Sequence, residues 1–241
     1  MGGLESSVSP MLSRTSSAVI QISVLAFLIV LPSRAQETNS TNPRAPEKAK
    51  AVNVNWLYGA YVPKEIPLVT LTGRQRFRLY LAQSFTTPGI YIKSTVFSLS
   101  AQTTNSPPEW GGGIAGYGRR FGSRYGQSLI QNTLSSGGNA LLGYEPRYDR
   151  CRCTGFWPRT GHAFMRNFVT YNRTETQLRP QFALYAGALG SGAISSLWYP
   201  SKPNAWVEGY QAMILQAGWG LATNWVGEFA PEIARTLKRK K

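Results

Sequence analysis

Pro107–Gly161 reads PPEWGGGIAGYGRRFGSRYGQSLIQNTLSSGGNALLGYEPRYDRCRCTGFWPRTG, and its first half decides the fold. Gly118, Gly122 and Gly126 are spaced by four, and residues four apart stack on one face of a helix. They predict a shallow groove, bordered by Phe121, Tyr125 and Leu129, that a second helix enters closely. Arg120, Arg124, Gln127 and Gln131 are expected on the opposite side. Interior glycine costs a helix roughly 1 kcal/mol relative to alanine, and close helix–helix packing is the usual compensation. The stretch therefore predicts a mainly α-helical bundle with a glycine-zipper-type helix, the partner helix coming from the same chain, a second copy or a membrane assembly.

Working towards the N-terminus, Ala18 to Leu31 is an apolar run broken only by Gln21 and Ser23, preceded by Arg14 and followed by Pro32-Ser33-Arg34-Ala35. This is the anatomy of a secretory signal peptide cut after Ala35; the run is short for a membrane span. Export to the periplasm or outer membrane follows as the expected address. The chain of 241 residues carries a formal net charge of +15, and loss of Arg14, Arg34 and Glu5 with residues 1–35 leaves +14. Such a surplus favours anionic lipid, glycan or wall polymer, and a secretory signal argues against a nucleic-acid partner. The apolar content of 42% is enough for one packed domain, expected over residues 51–241.

Residues 36–50 are polar and predict a disordered lead-in. Residues 51–71, loosely alternating and holding Pro63 and Pro67, predict an extended strap across the body. Thr72 is a candidate N-cap for a helix in which Phe77, Leu81 and Phe85 recur at i, i+4 and i+8 beside Arg74, Arg76 and Arg78, an amphipathic pattern with a basic side. Pro88 suits a first helical turn. Residues 90–101 follow, largely apolar with the one charge Lys93, and are placed inside the bundle. Gly137-Gly138 and Gly143 predict the exit from the glycine helix. Thr160 is a candidate cap for a helix over 161–169, and 172–180 reads as polar loop. Phe182–Pro200 and Gly209–Gly227 are two stretches of nineteen residues without charge. The first repeats small residues at Ala183, Gly187, Ser191 and Ser195, which makes Gly187 and Ser191 candidate packing positions. Flanking tryptophans and the terminal LKRKK add to a pattern shared by membrane hairpins and tightly packed soluble helix pairs. Ser, Gly and Gln dilute the hydrophobicity and favour the soluble pair.

In order, PEWG, GYGRRFG, EPRYDR, RTGHA, WYP and EFAPEI resemble a widespread family of signal-peptide-bearing bacterial envelope proteins without an assigned activity. The likeness runs from about Val62, through Pro67-Leu68, Thr70 and Arg76-Phe77, to Ile233. It implies secretion and a mainly helical single-domain body. That family's pattern has Asp where Glu145 stands and Trp where Ala230 stands, and it lacks Cys151 and Cys153. The resemblance therefore lends the Glu145 carboxylate and the two cysteines no family-wide chemistry.

Chemistry-bearing residues are few. His162 is the only histidine, so no histidine-based metal cluster is expected, no cofactor motif is read, and no G-x-S-x-G elbow supports a serine nucleophile. Cys151 and Cys153 are expected to pair in a small ring or with a second chain's cysteines, a redox role being the alternative. Glu145, Asp149 and His162 are the candidates for an envelope hydrolase. The simpler reading has Glu109, Glu145 and Asp149 neutralising Arg119, Arg120, Arg147 and Arg150 in a network that locks the loop. The favoured function is a non-catalytic envelope protein acting by contact with a membrane surface or a partner protein, homo-oligomers through glycine-rich faces included. A hydrolase and a basic binder of anionic lipid or glycan are the alternatives.

Overall fold

The computed structural model describes residues 54–55, 59–62, 64, 68, 70–172 and 177–239; the predicted signal peptide, the lead-in and much of the strap lie outside these. The chain divides into two units, 1–48 and 49–241, and every described residue belongs to the second.

What is described of the strap forms strands. β1 (Val54–Asn55) pairs antiparallel with β2 (Gly59–Val62), which pairs in parallel with β3 (Tyr148–Asp149) at Tyr61↔Tyr148 and Val62↔Asp149. Helix α1 (Gly73–Leu81) starts on a capping box: Gln75 N donates to Thr72 Oγ1 (3.3 Å) and Thr72 N to Gln75 Oε1 (2.9 Å), satisfying two N–H groups that a helix start leaves without partners. A π-helical turn, Ala82–Thr86, ends at Thr87, and Pro88 opens α2 (Pro88–Thr103). After a 3₁₀ turn at Pro108–Trp110 comes the 29-residue α3 (Gly113–Leu141). It passes straight through the expected exit at Gly137-Gly138, because Gly138 packs against Ala183; Gly143, with φ +70°, makes the left-handed turn beyond its end. Helix α4 (Phe156–Phe168) begins earlier than the Thr160 cap predicts, and the 172–180 loop contains half of a hairpin, β4 (Val169–Tyr171) against β5 (Leu178–Pro180). Helices α5 (Phe182–Ser195) and α6 (Ala205–Arg239) complete a mainly α-helical architecture.

Helix α5 is the central element, packed against both α3 and α6; α2 packs on α3 and α4 on α6. Its small residues permit this. Ala183, Gly187, Ala188, Ser191, Gly192 and Ser195 are all buried. A Cβ at Gly187 would overlap the Ser135 side chain and backbone, and one at Gly192 would stand 2.7 Å from Gly209 Cα. Among the described residues no helix is long and apolar enough to cross a membrane. The nineteen-residue stretches are thus not a membrane-spanning hairpin; their small faces are used against each other and against α3.

The predicted groove is turned inside out. An added Cβ at Gly118, Gly122 or Gly126 would meet nothing within 4 Å, so none of the described helices enters there. The buried residues of α3 are Gly116, Arg120, Ser123, Gln127, Ser128, Gln131 and Ser135, Arg120, Gln127 and Gln131 among them being those expected on the side opposite the groove. Arg120 explains part of the reversal. It is 1% exposed and donates to the carbonyls of Ser106 (3.0 Å), Gly111 (2.7 Å) and Pro107 (2.8 Å) and to the side chains of Gln102 (2.6 Å) and Asn105 (3.1 Å). A guanidinium carries five N–H donors, and Gln102 at the end of α2 with four acceptors of the connection to α3 supply five partners. Gly116 must be glycine for the same reason, since a Cβ there would overlap Gly111 O.

Candidate functional site

A cavity of about 550 Å³ lies between α2, α3 and α6, bounded by the Glu145–Tyr148 segment. Helix α2 does not bury its apolar residues as expected. Ile90, Ser94 and Ser98 face inwards while Tyr91, Ile92, Val96 and Leu99 are exposed. Each serine hydroxyl returns to the carbonyl four residues back, Ser94 to Ile90 (2.8 Å) and Ser98 to Ser94 (2.6 Å), so the inward stripe is small and internally satisfied. Beside it, Lys93 reaches into the cavity. Its ammonium donates to Gln131 Oε1 of α3 (3.0 Å) and Gln216 Oε1 of α6 (2.9 Å), and Gln131 Nε2 donates to Gln216 Oε1 (2.7 Å). One cation thus joins three helices. Among the described residues no carboxylate pairs with it. Burial, with a smaller contribution from the Arg124 guanidinium, brings the amine down to about 8, as low dielectric and a like charge both disfavour the ammonium. Protein encloses it, yet part of the side chain still opens on the cavity.

The predicted acid–base residues are placed differently. Glu145 is buried and lines the cavity, but its carboxylate accepts from Arg147 Nε (2.7 Å), Nη2 (3.1 Å) and N (3.2 Å). Asp149 Oδ1 accepts from Arg166 Nε at 2.6 Å. His162 Nε2 bonds to the Asp149 main-chain carbonyl at 2.8 Å and lies 3.9 Å from the carboxylate, with its ring edge-on to Tyr148. Asp149 and His162 do not line the cavity. The three residues do not converge on one space in which a substrate meets an acid and a base. Cys151 and Cys153 are bonded to each other, and no free cysteine remains. Among the described residues, no three His, Cys, Asp or Glu side chains gather as metal ligands.

The sequence reading missed Glu228. It is 0% exposed, and its carboxylate accepts from Tyr148 Oη (2.8 Å), Cys151 N (3.2 Å) and Arg159 Nε (3.3 Å), while its main-chain carbonyl accepts from Arg150 (2.8 Å) and Arg159. Burial and the neighbouring Glu228 carboxylate push the Tyr148 phenol upwards. Of the expected network Arg147 pairs with Glu145, Arg150 turns to α6, and among the described residues Arg120 takes no carboxylate; Arg159, outside that expectation, joins Arg150 on α6. The available signal was the i, i+4 pair Glu228 and Glu232 facing a loop with four arginines between 147 and 159.

On the outside, α1 and the π-turn reverse the expected amphipathicity. Leu79 and Arg76 face inwards, Arg76 donating to Tyr144 O at 2.8 Å. Phe77 is 59% and Phe85 47% exposed, on the same side as exposed Arg74, Arg78 and Leu81. Compared with models of known families, with curated proteins and with solved structures, the chain finds no match.

Proposed function

We propose that this is a non-catalytic, exported protein of the cell envelope that docks on an anionic membrane surface through α1, the π-turn and the exposed side of α2. The supporting observation is the outward placement of Phe77, Leu81 and Phe85 on the same side as exposed Arg74 and Arg78. Exposed apolar clusters on a soluble fold mark contact surfaces, and basic residues near anionic headgroups each add about 1 kcal/mol. The +15 charge of the chain acts in the same direction. Export rests on the signal-peptide pattern of residues 1–35 and on the family resemblance of the sequence. No observation favours the hydrolase, since Asp149 is held by Arg166 away from the cavity.

Vesicle co-sedimentation tests the reading. Binding to phosphatidylglycerol vesicles is expected to exceed that to phosphatidylcholine vesicles at least tenfold, and to survive molar salt only in part, because salt screens the arginines and leaves the apolar grip. Phe77→Ser with Phe85→Ser is expected to lower binding about tenfold. Equal binding to both vesicle types, or an unaffected double variant, refutes it.

A further inference from the structure

The cavity at Lys93 lies apart from Phe77, Leu81 and Phe85 of the proposed docking face, none of which lines it. Its charges do not balance internally. Glu145 is committed to Arg147, and Arg166 to Asp149. Lys93 is left with two glutamine oxygens and a third N–H that meets no described acceptor. A crossing of three helices that needed only hydrogen bonds would be met by a neutral side chain at far lower desolvation cost. A buried cation facing an open space is explained by an anion that enters it.

We propose that this cavity binds a small monoanionic molecule with a carboxylate head and an apolar body, the carboxylate pairing with Lys93. The head is a carboxylate because a single ammonium set among neutral amides matches one negative charge, and the two guanidiniums that line the cavity, Arg147 and Arg166, are already paired; a phosphate dianion would require a second uncommitted cation in the lining. The body is apolar because Ile90, Leu184, Trp219 and Val226 share the lining with the amides. The volume of about 550 Å³ lies in the range of small-molecule sites, which suits an acid of about ten carbons.

The test uses the full chain and sodium decanoate below its micellar concentration, with 1-decanol and inorganic phosphate as comparison probes, followed by calorimetry. Decanoate is expected to bind at least tenfold tighter than 1-decanol, and Lys93→Met to remove that tenfold difference while its far-UV circular dichroism stays that of the parent. A second measurement on the unsubstituted protein, labelled with 13Cε-lysine, follows the Lys93 signal in NMR: decanoate is expected to shift its titration to higher pH. That readout decides the matter if Lys93→Met does not fold. Phe77→Ser with Phe85→Ser is expected to keep decanoate binding, which separates this site from membrane docking. Equal affinity for 1-decanol, unchanged binding by folded Lys93→Met, an unmoved Lys93 titration, or displacement of decanoate by millimolar phosphate each overturns the carboxylate site.

Discussion

Arg120 and Lys93 are both cations held inside the bundle without a carboxylate partner among the described residues, and they differ in how they are satisfied. Arg120 spends its five donors on acceptors between Gln102 and Gly111, so its charge is spread over dipoles that need a donor anyway. Lys93 has two such acceptors and a cavity. The glycines show the same dependence on neighbours. Gly122 stands in open space and Gly187 against Ser135. Gly122→Ala is expected to raise stability by about 0.5–1 kcal/mol through helix propensity, while Gly187→Ala lowers it by about 1–3 kcal/mol through overpacking. Urea denaturation of the two variants checks this; a destabilised Gly122→Ala would mean that something packs on the open face.

At the scale of elements, Glu228 ties α6 to the β3–α4 connection. Its carboxylate gathers Tyr148, the Cys151 N–H and Arg159, so the small disulfide loop and the start of α4 are placed by one side chain. Glu228→Gln keeps the shape and removes the charge that Arg159 faces; loss of a buried partner of this kind costs about 3–5 kcal/mol. A thermal melt within a degree of the parent would show the ion pair to be dispensable. Glu232, one turn on, is also subject to burial, which pushes its carboxyl up, but hydrogen bonds and charge from Arg159 and the charge of Arg150 outweigh it and leave the carboxyl below its ordinary value. Its contribution is present above the ordinary carboxylate range and is lost as pH falls through the folded value. It is small, because the group is largely exposed and screened.

For the whole molecule, two sets of buried groups shape the alkaline side of the stability curve with opposite signs. Lys93 titrates near 8 folded and 10.5 unfolded, so the unfolded chain binds more protons between those values and stability rises with pH there. Below pH 8 the buried charge costs on the order of 3 kcal/mol. Tyr148 and Tyr185 are pushed up by burial; they stay protonated when folded and ionise when unfolded, so stability falls above about pH 10. Lys93→Met is therefore expected to melt higher than the parent below pH 8, the gap closing as pH approaches 10. A gap constant from pH 6.5 to 10 would show that Lys93 titrates in the folded protein as it does in the unfolded chain, its ammonium undisturbed by burial.

The local signals were readable in the chain itself. Thr72 with Gln75 closes a capping box, Pro88 opens a helix, and small residues at Gly187 and Ser191 lie buried in a tight crossing, because caps, proline geometry and side-chain size act within one or two turns. Facing was a different matter. Phe77 and Phe85 are exposed while Ser94, Gln131 and Arg120 are buried, because the side of a helix that turns inwards depends on what the neighbouring helix presents. Here α5 presents glycines and serines, and polar residues of α3 lie against it at close range. Likewise Lys93 and Gln216 are 123 positions apart, Glu228 is 77 from Cys151, and no periodicity in a single helix carries such pairings. The chain alone determined its helical class and the starts of α1 and α2. Which faces meet, and that a lone ammonium is left looking into a cavity, followed only from the packing of α2, α3 and α6 around it.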